Sequence, residues 1–345
     1  MVERGQRMPK VTTITVGTNE RAWLPECFRS LLASATAAEL EILFVDNASD
    51  DGSAEMVAAF FPEIRILRNP TNLGFAGANN VGMRWALEHG SDFVFLVNPD
   101  TRTPPNVIDD LTKFLTVWPD YGLIGPLQHG YGQEADSPNA WTRMALEAGE
   151  AHIFVHTWPY HPSSASPARG RAPGTLEHAY VQGSALFTRA EVLRRTGLFD
   201  EAYHTYYEET DLCRRVRWAG WRVALLLDCV IEHYAGGGGL TSRYRRRHML
   251  RNKYYFLATD PDWSMPDVLR LAARWLALDL RRQGPARAAT RRAAFTDTLA
   301  GVTWLTVQVP RMARRRRQHA RLRRFGAGGP LRTRALAAGA ERAPR

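Results

Sequence analysis

A chain of 345 residues, 45% of them hydrophobic, is long enough to bury one large core or a core with an appendage, which excludes disorder throughout. The net charge of +10 is unevenly placed: residues 265–345 hold 19 arginines, no lysine and 4 acids, so the rest of the chain is acidic overall. Three widely separated cysteines, Cys27, Cys213 and Cys229, fit neither a disulfide framework nor a paired metal signature. The charged opening residues 1–10 lack the apolar centre of a signal peptide, and no apolar run reaches about 18 residues, so the expectation is a cytoplasmic protein that spans no membrane.

Val11–Val16 is a β-branched run that stops at Gly17-Thr18-Asn19-Glu20, after which Trp23, Leu24, Cys27, Leu31 and Leu32 recur at helical spacing. Glu41–Val45 is a second strand ending at Asp46-Asn47, with Ser49 and Asp50 as caps for a helix over 54–61. Ile64–Leu67 is a third, ending at Asn69. The stretch from Asn72 through Gly74, Phe75, Asn79 and Asn80 reads as a loop of small residues that lets a ligand approach the main chain, with a helix from Val81 to Gly90. It is neither a dinucleotide fingerprint nor a P-loop. Phe93–Val97 is a wholly apolar strand that stops at Asn98-Pro99-Asp100. Four strands alternating with helices predict an α/β fold with a mostly parallel, doubly wound sheet, whose ligands bind beyond the carboxyl ends of the strands.

Residues 129–174, dense in Pro, Gly, Ser and His, read as a long irregular functional loop. Order returns with a strand over 179–188, a helix from Glu209 to Ala219 closed by Gly220, and a strand over Val223–Leu227 that leads to His233. Beyond Trp263, leucines alternate with Arg270, Arg274, Arg281 and Arg282, which predicts a basic helix, and Arg314 opens an arginine-rich end.

Chemistry-bearing side chains cluster at the strand ends. Asp100 suits a hard cation that also grips phosphate oxygens, although Asn-Pro-Asp-Thr is equally good turn chemistry. Glu208, Glu209 and Asp211 open a helix, where the dipole alone favours acids; their crowding raises at least one pKa, which makes Glu209 the candidate general base. His233 reads as a metal ligand or an ordinary buried histidine, and the glycine run 236–239 after it as a hinge, a phosphate-facing loop or a linker. Asp46 and Asn19 read as groups for a base or ribose, or as loop caps.

Together these residues resemble the family 2 glycosyltransferases, in particular the bacterial rhamnosyltransferase-like branch. The matching segments are Val45-Asp46-Asn47-Ala48-Ser49-Asp50-Asp51-Gly52-Ser53, Asn72-Leu73-Gly74-Phe75-Ala76-Gly77 with Asn80, Leu96-Val97-Asn98-Pro99-Asp100-Thr101, Gly197-Leu198-Phe199-Asp200-Glu201 and Tyr207-Glu208-Glu209-Thr210-Asp211-Leu212-Cys213. They fall in the family's order within residues 10–240. The resemblance implies a GT-A fold in which Asp100 keeps the metal-ligand position of the family's D-x-D, with His233 completing the site for Mn²⁺ or Mg²⁺. It implies that Gly17, Thr18, Asn19, Glu20, Asp46, Asn47, Asn72, Gly74, Phe75, Asn79, Asn80, Asn98 and Asp100 hold the nucleotide sugar. Glu209, with Glu208 and Asp211, would be catalytic, and Gly183 and Ser184 would meet the acceptor.

The implied reaction is inverting transfer of a sugar from a nucleotide-diphosphate donor, dTDP-rhamnose, a UDP-sugar or GDP-mannose, to a glycan or lipid-linked acceptor. Two departures stand out: the family's E-D-x-D is Glu208-Glu209-Thr210-Asp211 here, and Thr18 replaces the usual aromatic of the first loop. The expected division is a tail to residue 10, a GT-A domain over 11–245 with nucleotide-binding (11–127) and acceptor (175–245) halves, a helical basic extension over 246–325, and a disordered tail over 326–345. A sugar-1-phosphate nucleotidyltransferase is the nearer alternative, but residues 17–25 offer no lysine and one arginine. A nucleic-acid-binding protein is the other; the tail aromatics Trp275, Trp304 and Phe325 lie among leucines, which fits docking on the anionic inner face of a membrane better, with no nucleic acid expected.

Overall fold

Alternate residues of β2 (Glu39–Asp46) and β4 (Phe93–Val97) feed two separate apolar layers. Ile42, Phe44, Phe93 and Phe95 join one, while Leu43, Val45, Val94 and Leu96 join the other. A strand buried on both faces loses its polar alternation, which explains the continuous apolar runs of the sequence. The computed structural model describes residues 7–132, 137–148, 172–234, 242–282 and 288–326.

β1 (Lys10–Gly17), β2, β3 (Arg65–Arg68) and β4 are mutually parallel, connected by α1 (Leu24–Leu32), α2 (Ser53–Phe60) and α3 (Gly74–Glu88). The second half of the nine-stranded sheet is mixed. β8 (Ala185–Arg189) runs against both β4 and β6 (Tyr121–His129), and β6 pairs in parallel with β9 (Arg222–His233). β5 (Thr101–Arg102) and β7 (Thr175–Glu177) are antiparallel to β9. β8 lies between β4 and β6 in the sheet.

Three local expectations shift. The helix expected from Val81 starts at Gly74, where the Asn72 side-chain oxygen accepts the Gly74 N–H at 2.8 Å. The strand expected from 179 starts at Ala185, because Ala185 N–H turns back to Gln182 O. Within the stretch read as irregular, α5 (Ala140–Ala148) forms, and Asn139 Oδ1 accepts the Thr142 N–H at 2.9 Å. Residues 149–171, the glycines 236–239 and the tail beyond 326 lie outside the described residues.

The basic extension is bound into the fold. α8 (Ser242–Ala258), α9 (Met265–Arg282) and α10 (Ala288–Gly326) follow α6 (Ala190–Thr196), α7 (Glu208–Trp218) and β9, and they close a third core of Tyr203, Tyr207, Tyr255, Phe256 and Trp275. Arg315 of α10 reaches buried Asp200 at 2.8 Å, joined there by Arg311 and by the Tyr255 hydroxyl at 2.9 Å. Arg316 donates to the carbonyls of Asp260 and Trp263, Arg323 pairs with Asp262, and Arg243 and Arg246 share Asp297. Several tail arginines thus neutralise internal acids. No helix among the described residues is long and apolar enough to cross a membrane.

Candidate active site

The carboxyl ends of β1, β2 and β3 are woven into one polar rim. Asn47 N–H donates to Gly17 O and Asn69 N–H to Asp46 O. The Asn19 N–H donates to Ser49 Oγ at 3.0 Å, while Asn19 Oδ1 accepts the Asp50 N–H at 2.9 Å. Asn47 spans to α3: Nδ2 donates to Asn72 Oδ1 and Oδ1 accepts the Leu73 N–H, both at 2.9 Å. Thr18 lies beside Asn47 O, and Asp46 caps the Ser49 N–H at 3.2 Å.

At the end of β4 the chain turns through Asn98-Pro99 so that Asp100 meets His233 at the end of β9, through the pairing of Thr101 with His233. Asp100 Oδ1 and His233 Nε2 are 3.3 Å apart and both residues are 6% exposed. His233 Nδ1 lies 2.8 Å from Gln128 Oε1, and Gln128 Nε2 donates to Ser184 Oγ at 2.8 Å. Glu20, from the β1 loop, is pushed up to about 7 by burial and by the nearby Asp100 and Asp51. Among the described residues no group of three or more His, Cys, Asp or Glu side chains is placed to hold a metal ion, and Asp100 and His233 meet as a direct pair.

Glu209 opens α7 beside Gly183: a Cβ built on Gly183 would stand 3.7 Å from Glu209 Cβ and 3.1 Å from the Phe75 ring. The absent side chain keeps the Phe75–Glu209 corner open. Burial pushes the Glu209 carboxyl up to about 7, and burial together with Glu209 holds Glu208 well above the usual range. One carboxylate oxygen of each is buried with no hydrogen-bond partner. Desolvated carboxylates with an open acceptor oxygen are poised to take a proton.

The loop before them is strained. His204, Tyr206 and Tyr207 have φ of 64°, 67° and 79°, in the left-handed region that costs roughly 1–2 kcal/mol for each such residue. Asn252 of α8 holds it by donating to the carbonyls of Tyr203, Thr205 and Tyr206. Gly74, at φ 70°, lets the His204 ring lie where any Cβ would collide, and Ala76 N–H donates to His204 O.

Three expected site residues are engaged within the fold. Asp211 is 1% exposed and both its oxygens are taken, Oδ1 by Arg214 and Oδ2 by Arg215 at 2.8 Å. Burial alone would raise its pKa; Arg215 and Arg214 outweigh it and hold the carboxyl far below the usual range. It is therefore an anchor for α7 with no oxygen left for substrate. Asn80 spends its amide on Phe199 and Glu201, and Asn79 donates to Phe75 O. Their amides tie α3 together and to the 199–201 segment.

The sequence also concealed contributors. Gln128 is fully buried at the end of β6, and its one signal was an amide closing an apolar run. Trp23 and Tyr234 pack at a tilt with ring centroids 4.3 Å apart and Tyr131 edge-on to both, and Tyr234 N–H donates to Asp100 O, so an aromatic cluster adjoins the Asp100–His233 pair. Asn252 had no sequence signal.

The signature of glycosyl transferase family 2 matches residues 12–190, just over half of the chain. The chain belongs to glycosyl transferase family 2. This family 2 enzyme is 29% identical over 253 residues to the N-acetylglucosaminyl-diphospho-decaprenol L-rhamnosyltransferase of Mycobacterium tuberculosis, covering 68% of this chain and 79% of that one. Among solved structures it resembles the mannosyltransferase PcManGT of Pyrobaculum calidifontis, in complex with GDP-Man and Mn²⁺: TM-score 0.53, 16% identity, 94% of this chain and 85% of the other. S. aureus TarS 1-349 in complex with UDP-GlcNAc gives TM-score 0.53 at 13% identity, covering 92% and 90%. These likenesses establish a GT-A type fold for the family 2 chain.

Proposed function

We propose that the chain is an inverting, divalent-cation-dependent glycosyltransferase that moves a sugar, rhamnose first among the candidates, from a nucleoside diphosphate donor to a hydroxyl of a lipid-linked glycan. The observation that carries this reading is Glu209, a desolvated carboxylate with an unpartnered oxygen, next to Gly183 and joined through Ser184 and Gln128 to the Asp100–His233 pair. Asp100 and His233 would hold Mn²⁺ or Mg²⁺, which when bound offsets the negative charge of the departing diphosphate. The rim of Gly17, Thr18, Asn19, Asp46 and Asn72 would receive the nucleoside and Phe75 would border the sugar.

Glu209 takes the proton of the acceptor hydroxyl as that oxygen bonds to the anomeric carbon and the bond from carbon to diphosphate oxygen breaks. The nucleoside diphosphate leaves with the electron pair, and the configuration inverts. Burial and the neighbouring Glu209 push the Glu208 carboxyl well above the usual carboxylate range, which disfavours a second negative charge beside the base. The lipid-linked acceptor is supported by the mycobacterial relative, whose name specifies a decaprenol-linked substrate. Exposed arginines of the extension would attract an anionic membrane face.

Thermal stabilisation by a panel of nucleoside diphosphates and their sugars, each with Mn²⁺, Mg²⁺ or EDTA, tests the donor site. A base-selective, cation-dependent rise in melting temperature that vanishes in Asp100→Ala is expected; no rise with any nucleotide would remove the reading.

A further inference from the structure

Between α8, α9 and α10 runs a cleft of about 320 Å³, walled by aliphatic side chains such as Leu250, Leu276 and Leu305. Its rim is apolar as well: Leu269 is 66% and Val302 46% exposed. Exposed Met265 and Leu299 extend the same helix faces by one turn. An apolar cleft continuous with exposed apolar rims is costly to leave in water and marks a binding surface.

Among the described residues lining the cleft, Arg251 is the one charged side chain. Its guanidinium donates to Tyr203 O at 3.0 Å and to Asn252 Oδ1 at 3.1 Å and lies 4.6 Å over the Trp304 ring, and none of these partners carries a negative charge. Arg247, one turn earlier on α8, is exposed. Among the described residues neither Arg251 nor Arg247 pairs with a carboxylate, whereas Arg243 and Arg246 on the same helix share Asp297. The cleft therefore joins a hydrocarbon wall to uncompensated positive charge, the complement of a lipid with an anionic head. Arg251 also touches Tyr203, so an anion held there borders the loop that leads into Glu208 and Glu209.

We infer that this cleft receives the aliphatic chain of an isoprenyl phosphate or diphosphate, with the phosphate against Arg251 and Arg247. The inference rests on the lipid-linked acceptor proposed above and names where its lipid is held.

The test is calorimetric titration of the full chain with farnesyl diphosphate in EDTA, which keeps the diphosphate from the cation-dependent donor site, with inorganic pyrophosphate and farnesol as controls. Saturable binding of farnesyl diphosphate is expected, at least tenfold tighter than either control. Val302→Asp, which sets an acid at the rim, and Ala273→Trp, which fills the mouth, should each weaken it at least tenfold while the nucleotide-induced thermal shift persists. Pyrophosphate binding as tightly as farnesyl diphosphate, or both variants binding like the parent, overturns the inference. Flotation on phosphatidylglycerol vesicles without farnesyl diphosphate binding also overturns it, in favour of a bilayer-facing surface. Absence of any nucleotide shift alongside intact farnesyl diphosphate binding would instead overturn the transferase reading and leave the cleft standing.

Discussion

The Asn252 amide donates a 2.8 Å hydrogen bond to the carbonyl of Tyr206, whose backbone is left-handed at φ 67°. A residue of the helical extension thus holds the strained loop that leads into Glu208 and Glu209. Asn252→Ala leaves the Thr205 and Tyr206 carbonyls without this donor, at roughly 1–3 kcal/mol for each buried polar group unsatisfied. The expected outcome is a destabilisation of at least about 2 kcal/mol with a larger proportional loss in kcat than in donor affinity. Chemical denaturation and steady-state kinetics check both, and an unchanged kcat in a destabilised variant would deny the positioning role.

Glu209, pushed up to about 7 by burial, must be deprotonated to accept a proton. The transfer rate therefore rises with pH through a limb centred near 7 and falls below it. Glu209→Gln should lower kcat about 10²–10⁴-fold, the usual worth of a positioned base, while donor binding stays within about twofold. A pH profile flat from 5.5 to 8 would assign the proton transfer elsewhere.

Glu208 and Glu209 also tie stability to pH. Their folded pKa values lie above the ordinary 4.5, so between about pH 4.5 and 7 the folded chain holds more protons than the unfolded one. Their contribution to stability is complete below the unfolded value and is lost as pH rises through the folded ones. Glu208→Gln, which removes a buried ionisable group, should raise the melting temperature relative to the parent by more at pH 8 than at pH 5. An equal change at both would mean that Glu208 does not titrate across that window.

What the sequence made legible follows the range of its signals. Strand ends announce themselves, because an apolar run such as Phe93–Val97 must stop where polar residues begin, and Asp46, Asn98 and Asp100 stand at such stops. Asp100 and His233 were named from separate strands, and their meeting depends on an antiparallel β5–β9 pairing that local patterns do not encode. Asp211 misled because an acid in the first helical turn reads the same whether it faces substrate or two buried arginines. The arginine-rich end misled similarly: Arg315 and Arg316 look like solvated charge until Asp200 and the carbonyls of α8 and its following loop are brought beside them.

Gln128 offers a test of the cation role proposed for Asp100 and His233 that leaves those two side chains intact. It lies 2.8 Å from His233 Nδ1 and orients the ring so that Nε2 faces Asp100. Removing a partner that orients a metal-binding histidine costs about 10–100-fold in affinity or activity. Gln128→Leu should raise the Mn²⁺ concentration for half-maximal activity by that factor, with Gln128→Glu retaining more. If both variants keep the parent's Mn²⁺ dependence, His233 does not serve the cation.

Asp200 carries the last prediction, since it joins the 197–201 segment to α10. Burial would raise its pKa, but Arg315 and Arg311 lower it, so the folded chain keeps it ionised. Asp200→Asn removes the charge that both guanidinia face. Breaking a fully buried pair costs about 3–5 kcal/mol, and because these arginines remain a quarter to a third exposed the expected loss is nearer 1–3 kcal/mol. Tyr255 and Asn252 lie on α8 between this ion pair and the strained loop, so loosening α10 should also release Asn252. Hydrogen exchange on Asp200→Asn should therefore show faster exchange over residues 203–208 as well as over α10. Faster exchange confined to α10 would mean that the extension folds onto the enzyme without holding the loop before Glu208.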